Sequence, residues 1–240
     1  MFQNDFGEMW MLLKEWNDIP KFMKNEEVKK YYEILNKKRF SLILKRFFDI
    51  VTSFILLVLL TPVFFILSIW IKVDSQGPVF YRQERVTQYG KLFKIYKFRT
   101  MVINADQVGA LITTQNDLRI TRVGKKIRKC RLDEIPQLFN ILAGDMSFVG
   151  TRPEVKKYVD RYTNEMKATL LLPAGVTSLA SIEFKDEDKI MNQYVNEINS
   201  IDAIYIEKVL PEKMAFNLNS LKNTNIFNEF LILIKTVVKV

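Results

Sequence analysis

The strongest feature of the hydropathy pattern is an uncharged run of 22 residues, Ile50 to Ile71, in which nearly every position is apolar. Its length is that of a membrane-spanning helix. Pro62 interrupts the run and removes one helical hydrogen bond, so the pattern predicts two short helices around a break. The arms have 12 and 9 residues, and at about 1.5 Å per residue neither crosses a hydrocarbon core of about 30 Å.

Basic residues flank the run on both sides. They are Lys37, Lys38, Arg39, Lys45 and Arg46 before it, and Lys72, Arg82 and Arg85 after it. Because positive charge favours the cytoplasmic side of a membrane, the pattern favours a re-entrant segment with both ends on that side. A kinked spanning helix and a buried helix of a soluble core are the alternatives. The run lies too far from the N-terminus for a signal peptide.

Shorter segments with their own periodicities follow and precede this run. Residues 1–40 predict an amphipathic helical region, with Trp10, Leu13 and Trp16 near one face; the tryptophans suit lipid headgroups or packing on the protein's own body. The pattern also predicts a hairpin of strands 79–86 and 92–99, helices over 120–130, 132–142, 154–170 and 227–238, and a break at Pro173-Ala174-Gly175. The last helix is apolar enough to lie on a bilayer.

The composition restricts the chemistry. The 240 residues include no histidine and one cysteine, which excludes Ser-His-Asp and Cys-His nucleophiles, the common zinc sites and an internal disulfide. The chain has 36 Lys+Arg against 27 Asp+Glu, a formal charge of +9, which indicates an anionic partner such as nucleic acid, phospholipid or a phosphorylated substrate. Catalysis therefore depends on carboxylates, hydroxyls, Lys/Arg or an oxygen-bound metal.

A basic stretch precedes two acidic residues. Arg119 to Arg131 contains seven Lys/Arg and no acid, and Asp133-Glu134 follows at the predicted start of a helix. One interpretation is an N-capping aspartate after a solvated basic face. The other is an ionised Asp133 acting as nucleophile in a phosphate pocket, its pKa lowered by the helix N-terminus, with Mg²⁺ held by both carboxylates. Spacing alone does not decide between them.

Other cationic positions could serve the same pocket. Arg152 lies in the turn Gly150-Thr151-Arg152-Pro153, where its guanidinium could grip a phosphate bidentately, or the turn is an ordinary surface turn. Lys97 and Arg99 end the second predicted strand and either face the pocket or are simply exposed. No glycine-rich nucleotide-binding loop is present.

The order of these features resembles the monotopic phosphoglycosyltransferases, also called bacterial sugar transferases. The resemblance runs from about Lys45 to the C-terminus. It is carried by the strings KRFFDIVTSFILLVLLTP, SQGPVFYRQERV, FKIYKFRTM, ITRVGKKIRKCRLDEIPQLFNIL and GDMSFVGTRPEV. Members of that family transfer a sugar-1-phosphate from a nucleotide diphosphate sugar to a polyprenyl phosphate at the cytoplasmic face of the bacterial inner membrane. This step begins the assembly of capsule, O-antigen, exopolysaccharide or glycoprotein glycans.

The resemblance implies roles for individual residues. Asp133 matches the family's nucleophile and Glu134 its catalytic partner, with Mg²⁺ as the cofactor between these carboxylates and the diphosphate. The positions that match phosphate- or substrate-binding residues are Arg99, Arg128, Gln137 and Arg152. Thr61 and Pro62 match the pair that breaks the membrane helix. A covalent aspartyl-phosphosugar is the expected intermediate.

The sequence departs from the family pattern at two places. Thr151 stands where the family usually has a proline, which is expected to loosen the turn that holds Arg152. In LPAGVTSLAS, Pro173 replaces an arginine and Ser178 a glycine. Donor recognition is the property these departures affect.

The resemblance implies an α+β fold, mostly helical, with a re-entrant membrane helix, a small β-hairpin and interfacial amphipathic helices around one catalytic domain. The expected divisions are an N-terminal extension at 1–44, the membrane segment at 45–72 and the catalytic domain at 73–240. The expected partners are a nucleotide diphosphate sugar, expected to be UDP-linked, the polyprenyl phosphate, the bilayer and a second copy of the chain, with no nucleic acid. The competing hypothesis is a non-enzymatic scaffold that binds anionic lipid through the same basic stretch.

Overall fold

The structure is a computed structural model and describes residues 13–105, 117–184, 191, 193–194 and 201–239. The helices in these ranges are α1 (Glu26–Asn36), α2 (Arg39–Leu59), α3 (Thr61–Asp74), α4 (Arg122–Lys129), α5 (Gln137–Ala143), α6 (Lys156–Val159), α7 (Leu179–Glu183), α8 (Ile201–Ile204), α9 (Leu210–Lys222) and α10 (Ile226–Lys239). The strands are β1 (Phe80–Val86), β2 (Leu92–Phe98), β3 (Met146–Val149) and β4 (Ala174–Thr177). The mixture is α+β and mostly helical, as predicted.

The apolar run forms two helices that meet at a sharp bend. Helices α2 and α3 are inclined by 60° at Leu60, and in the described ranges no single helix is long and apolar enough to cross a bilayer, whereas the bent pair together is. Pro62 lies in the first turn of α3, where a backbone N–H would have no hydrogen-bond partner within the helix, so a proline is tolerated there. The Thr61 hydroxyl donates to the Leu57 carbonyl at 2.9 Å across the bend. The predicted break is confirmed.

A charged stripe on α2 is buried against the rest of the protein. Lys45 Nζ donates to Glu229 of α10 at 2.6 Å and to the Val149 carbonyl at 3.0 Å. The Arg46 guanidinium donates to two carbonyls at the C-terminal end of α5, at 2.6 and 3.1 Å, where a cation is favoured. Asp49 accepts from the Phe148 backbone N–H at 3.2 Å. The stripe therefore fastens one face of α2 to α5, β3 and α10.

The opposite faces of these helices carry large exposed apolar side chains. On α2 and α3 they include Phe47, Phe48, Phe54, Leu59, Phe65 and Ile66, and on α10 they include Phe227, Phe230 and Val237. A continuous exposed apolar surface of this kind is a mark of a membrane or protein contact. The predicted C-terminal apolar helix is confirmed within one residue at each end.

The N-terminal region is not the single amphipathic helix that the pattern predicts. Two short 3₁₀ turns, Trp16–Asp18 and Lys21–Met23, precede α1, because Pro20 interrupts the helical hydrogen bonding between them. Leu13 is buried in the main core, and Trp16 packs against it with its ring 5.2 Å from that of Tyr32. These side chains pack on the protein's own body; Trp10 lies outside the described residues.

The predicted hairpin is confirmed, and a second strand pair was missed. Strands β1 and β2 pair antiparallel from Phe80 opposite Phe98 to Val86 opposite Leu92. Strands β3 and β4 pair in parallel, so the segment after Pro173 that was predicted only as a break is a strand. Gly175 lies against Gly150 so closely that an added Cβ would stand 2.2 Å from the Gly150 nitrogen. Glycine is therefore required at position 175, where the backbone of β4 lies this close to the backbone of Gly150.

Two predicted helices are shorter than expected. The segment 132–142 is divided into a 3₁₀ turn, Leu132–Glu134, and helix α5, since Pro136 lacks the N–H that would bond the Leu132 carbonyl. The segment 154–170 contains only α6 and a 3₁₀ helix, Met166–Leu171. Between them the Thr163 hydroxyl accepts from the Met166 N–H at 3.3 Å, an alternative to helical hydrogen bonding.

Candidate active site

The two acidic residues lie on a tight turn between α4 and α5. Arg131 adopts a left-handed conformation with φ of 55°, which ends α4 and redirects the chain into the 3₁₀ turn Leu132–Glu134. Helix α5 begins only at Gln137. Asp133 and Glu134 therefore precede the helix, and the expectation that the helix N-terminus lowers the pKa of Asp133 is wrong.

Asp133 is nine-tenths buried. Burial raises the pKa of its carboxyl group, and the positive charges of Lys97 and Arg128 oppose this only in part. In the described ranges no other side chain hydrogen-bonds this carboxylate. Asp133 is thus a buried acid whose oxygens remain available to a ligand.

Glu134 has the opposite environment. Its Oε1 accepts from Lys97 at 2.9 Å and from Arg152 at 2.7 Å, and its Oε2 accepts from Arg152 at 3.2 Å. Burial alone would raise the pKa of Glu134, but the charges of Arg152 and Lys97 outweigh burial and hold it well below its usual value. Glu134 therefore stays ionised to a pH well below its usual pKa, and it holds two cations beside Asp133.

Arg152 is held by the strand pair as well as by Glu134. Its guanidinium also donates to the Val176 carbonyl of β4 at 2.6 Å. The turn that carries it is tied to β4 by two backbone bonds, from Gly150 N–H to Thr177 at 3.0 Å and from Gly175 N–H to Thr151 at 2.8 Å. Thr151 contributes its carbonyl, which a proline would also provide; looser packing of the turn than in proline-containing relatives stays a prediction.

Ser178, the other replaced position near β4, has a structural role. Its side chain caps α7 by accepting from the Ser181 N–H at 3.0 Å. Serine is among the preferred residues at a helix N-cap, and glycine there gives no side-chain bond. The departure at Ser178 therefore strengthens the start of α7.

A cavity of about 380 Å³ opens at Asp133, and five cationic side chains are among its lining residues. We call it the basic cavity; its charged lining residues are Arg85, Lys97, Arg99, Arg119, Arg128 and Asp133. The Arg128 guanidinium makes no hydrogen bond or ion pair to any described residue. Arg119 is paired with Asp117 at 2.5 Å. The structure thus brings Asp133, Lys97 and Arg128 to one cavity; for Lys97 this decides between the two alternatives that the sequence leaves open.

Arg99 also reaches this cavity but is heavily engaged. Its guanidinium donates to the carbonyls of Pro78, Gln76 and Ser75 at 2.6, 2.5 and 2.8 Å. These bonds fasten the connection between α3 and β1. A contact between Arg99 and phosphate stays a prediction.

Arg85 also lines this cavity, a role that the sequence does not predict, because there Arg85 is only one of the charges that flank the apolar run. Arg85 and Gln83 are two residues apart on a strand and therefore lie on the same face, which is the signal that could have indicated this role.

Gln137 faces a different cavity. Its side chain is 1% exposed, and neither its Oε1 nor its Nε2 has a hydrogen-bond partner in the part of the chain that the structure describes. This second cavity has a volume of about 300 Å³. We call it the apolar cavity; it is lined by Leu56, Leu60, Leu138, Ile141, Phe148 and Val176, with Glu134, Gln137, Arg131 and Arg152 at its polar end.

Comparison with known proteins places the chain in a family. The model of the bacterial sugar transferase family matches residues 40–240. The chain is 36% identical over 215 residues to an undecaprenyl-phosphate galactose phosphotransferase of Salmonella typhimurium, covering 83% of this chain and 40% of that protein.

Two further relatives carry related names. A UDP-N-acetylgalactosamine-undecaprenyl-phosphate N-acetylgalactosaminephosphotransferase of Aeromonas hydrophila is 46% identical over 123 residues, 51% of this chain and 29% of the relative. A UDP-glucose:undecaprenyl-phosphate glucose-1-phosphate transferase of Klebsiella pneumoniae is 35% identical over 170 residues, 69% of this chain and 36% of the relative. The chain spans less than half the length of each of these three proteins. From the match over residues 40–240, the chain belongs to the bacterial sugar transferase family.

Proposed function

We propose that the protein transfers a sugar-1-phosphate from a nucleotide diphosphate sugar, uridine-linked, to undecaprenyl phosphate, and so initiates assembly of a cell-surface glycan. The relatives' names describe this class of transfer for those proteins. The observation that carries the proposal here is Asp133, a buried carboxylate with open oxygens in a cavity that has five cationic side chains among its lining residues.

The proposed reaction has two steps. An Asp133 carboxylate oxygen attacks the phosphorus that bears the sugar, the bond from that phosphorus to the bridging oxygen breaks, and the nucleoside monophosphate leaves with the electron pair. An oxygen of the polyprenyl phosphate then attacks the same phosphorus, and the Asp133 carboxylate is released unchanged. Each step brings two anions together, which requires fixed positive charge.

Lys97, Arg128 and Arg152 supply that charge. Glu134 keeps Lys97 and Arg152 in place through its ion pairs at 2.9 and 2.7 Å. Arg128, which has no partner among the described residues, is available to a donor phosphate. We assign Glu134 a positioning role toward these cations in addition to metal binding.

The acidic pair fits a magnesium ion that arrives with the donor. Mg²⁺ is held in proteins by one or two carboxylates, with water and phosphate oxygens filling its other positions. Asp133 offers a carboxylate that no described side chain engages, and Glu134 Oε2 has one long bond, at 3.2 Å. No group of three acidic, cysteine or histidine side chains exists in the described ranges. Bound there, the ion would neutralise diphosphate charge.

The bent helix pair suits a re-entrant anchor. Straightening is opposed on both arms, since α2 is fastened by its charged stripe and α3 buries Leu67 and Ile71 against Phe98 and Ile127. We infer that α2, α3 and α10 sit in the cytoplasmic leaflet of the bacterial inner membrane, with the active site at headgroup depth. A homodimer is compatible with this arrangement.

The test is a panel of nucleotide sugars offered to the purified protein with undecaprenyl phosphate and Mg²⁺. One donor should give magnesium-dependent release of nucleoside monophosphate and a lipid-linked product. The same donor without lipid should raise the intact mass of the protein by one sugar-phosphate. A ternary complex with no adduct would contradict the two-step scheme, even if the product forms.

The scaffold hypothesis predicts a different result. A protein that only binds anionic lipid releases no nucleoside monophosphate from any donor, although it still associates with vesicles. Asp133→Asn serves as the background control for contaminating transferases. DNA binding offers no use for the exposed apolar faces of α2, α3 and α10.

A further inference from the structure

The apolar cavity is a second chamber beside the acidic turn. Asp133 lines the basic cavity and Glu134 lines the apolar cavity, although the two residues are adjacent in one 3₁₀ turn. The proposed reaction has two substrates of different polarity, a diphosphate donor and a lipid acceptor. The two cavities differ in the same way.

The walls of the apolar cavity connect it to the membrane anchor. Leu56 and Leu60 come from the last turn of α2 and from the bend, and their neighbours Ile55, Val58 and Leu59 are exposed on the face assigned to the bilayer. A hydrocarbon chain that leaves the bilayer at the bend would meet Leu56 and Leu60 first. Leu138, Ile141 and Phe148 continue the apolar wall.

The polar end of this cavity has unused hydrogen-bonding capacity. Gln137 is 1% exposed and neither atom of its amide is satisfied within the described part of the chain. Burying such a group without a partner is unfavourable, so it indicates a ligand or water that is bound in the working protein. The exposed Arg131 guanidinium also has no partner there, and Arg152 carries a second positive charge.

An amphiphile with a phosphate head and a branched hydrocarbon tail satisfies both ends. The amide N–H groups of Gln137 and the guanidinium of Arg131 would bind the head, and the leucine and phenylalanine walls would bury the first units of the tail. The hydroxyl groups of Thr177, Thr236 and Ser181 also line the cavity, but they already hydrogen-bond to neighbouring hydroxyl groups at 2.8 Å. A nucleotide fits this lining less well, because its base and ribose require polar partners along the wall.

We propose that the apolar cavity binds the first isoprene units of the polyprenyl phosphate acceptor and that Gln137 positions its phosphate. This inference rests on the proposed transferase function and adds the acceptor's path to it. The donor and the acceptor then reach the acidic turn through separate cavities, and the donor step needs no lipid in place.

The first test narrows the cavity with a matched control on the same helix. Leu56→Trp fills the apolar cavity, whereas Leu59→Trp places the same side chain on a face where Leu59 is 66% exposed. We expect Leu56→Trp to raise the KM for undecaprenyl phosphate at least tenfold while donor-only adduct formation is retained. Leu59→Trp should change neither. An equal rise of this KM in both variants would overturn the assignment. So would a Leu56→Trp variant that loses donor-only adduct formation while its KM for undecaprenyl phosphate is unchanged.

The second test labels the site directly. A polyprenyl phosphate with a diazirine in its first isoprene unit, irradiated with the wild-type protein in vesicles, should modify peptides that contain Leu138, Ile141 or Phe148. Labelling confined to the basic cavity around Met101, or to α10, would overturn the proposal. An equal yield with a diazirine phospholipid would show a general lipid cleft and would also overturn it. This readout needs no turnover, so it is independent of the proposed reaction.

The third test separates binding from packing at Gln137. Gln137→Met keeps the side chain's length and removes the unsatisfied amide, so the folded protein should be more stable, with Tm raised by about 2–4 °C. The same variant should lose at least tenfold in the acceptor step. A gain in Tm with unchanged acceptor kinetics would show that the amide has no role in acceptor binding.

Discussion

At the scale of single residues, the acidic turn holds two neighbouring carboxyl groups whose pKa values are shifted in opposite directions. Burial raises the pKa of Asp133, and paired cations hold the pKa of Glu134 well below its usual value. If Asp133 is the nucleophile, we expect its ionisation to set the acidic limit of activity, at a higher pH than for an exposed carboxylate because burial raises its pKa. Glu134 becomes protonated only at a lower pH, because its pKa is held down by the paired cations.

Asp133→Asn should abolish turnover without harming the fold. A native-state pKa raised above the unfolded value means that this group's contribution to stability declines as the pH rises through the two pKa values. At neutral pH the amide removes that penalty, so the variant should be at least as stable as wild type. Thermal unfolding and release of nucleoside monophosphate measure the two effects. Activity of the folded variant above background would exclude Asp133 as the nucleophile.

Glu134→Gln should lower both activity and stability. The amide leaves Lys97 and Arg152 without their counter-ion, and we expect a loss of about 2 kcal/mol at neutral pH, below the value for a fully buried pair because those side chains are 25% and 30% exposed. Because the native-state pKa of Glu134 is lowered, its ionised form stabilises the fold at pH values above the unfolded-state pKa. This stabilisation is lost as the pH falls through the native-state pKa. The difference between variant and wild type in urea unfolding should therefore shrink in acid. A difference that is constant with pH would contradict the ion-pair explanation.

At the scale of elements, the proposed re-entrant topology depends on the bend between α2 and α3. Pro62→Leu restores an N–H and removes the ring's clash with the preceding turn, an effect worth about 3 kcal/mol in a helix interior. The buried Leu67 and Ile71 oppose the straightening of α3, so we expect a mixed population in which a minority spans the membrane.

The measurement is labelling of Lys29→Cys by a membrane-impermeant maleimide on intact cells, in a Cys130→Ser background. With wild-type Pro62 the cysteine should react only after the membrane is opened, and Pro62→Leu should raise the labelled fraction. Ile66→Leu, at a position 62% exposed on α3, is the matched control. Labelling in intact cells with Pro62 present would rule out the re-entrant arrangement.

The sequence predicts those elements whose pattern is local and misses those that depend on distant partners. The apolar arms, the hairpin and α10 follow from runs and alternation that a window of a few residues contains. Strand β4 does not follow from such a local pattern, because Ala174-Gly175-Val176-Thr177 becomes a strand only by pairing with β3. In that pairing Ala174 lies opposite Met146, which is 28 residues earlier in the chain. The same limit applies to Arg99, whose three carbonyl partners lie on a connection that no motif describes.

At the site, motif order identifies Asp133, Glu134, Arg128 and Arg152, but residue type does not give their protonation or partners. The raised pKa of Asp133 arises from burial by the surrounding fold. The unsatisfied amide of Gln137 is likewise a property of packing, since an exposed glutamine with the same neighbours in sequence would bond water.

At the scale of the whole molecule, a basic protein presents exposed apolar faces on three helices. If these faces enter the bilayer, association with vesicles should survive 1 M NaCl, where the Debye length is about 3 Å, and should persist on zwitterionic lipid. Flotation of the protein with vesicles measures this. Release by salt would show a peripheral electrostatic contact instead.

A matched pair of variants tests which surface is responsible. Phe54→Glu changes a residue 59% exposed on α2, and Phe22→Glu changes one 49% exposed in the N-terminal region. We expect Phe54→Glu to weaken vesicle binding at least tenfold and Phe22→Glu to leave it nearly unchanged. Similar losses would indicate that the bilayer contacts a surface other than the bent helix pair.

The ion pair between Lys45 and Glu229 also orders events during synthesis. Its partners are separated by 184 residues, so at about 5–20 residues per second the ribosome needs roughly 10–40 s to deliver the second after the first. Throughout that interval Lys45 of the nascent α2 lacks the counter-ion that accompanies its burial, and Arg46 waits about half as long, because its carbonyl partners on α5 lie 95 and 96 residues away. Until α10 is made, the charged stripe of α2 is incomplete, and the proposed anchor depends on its apolar face.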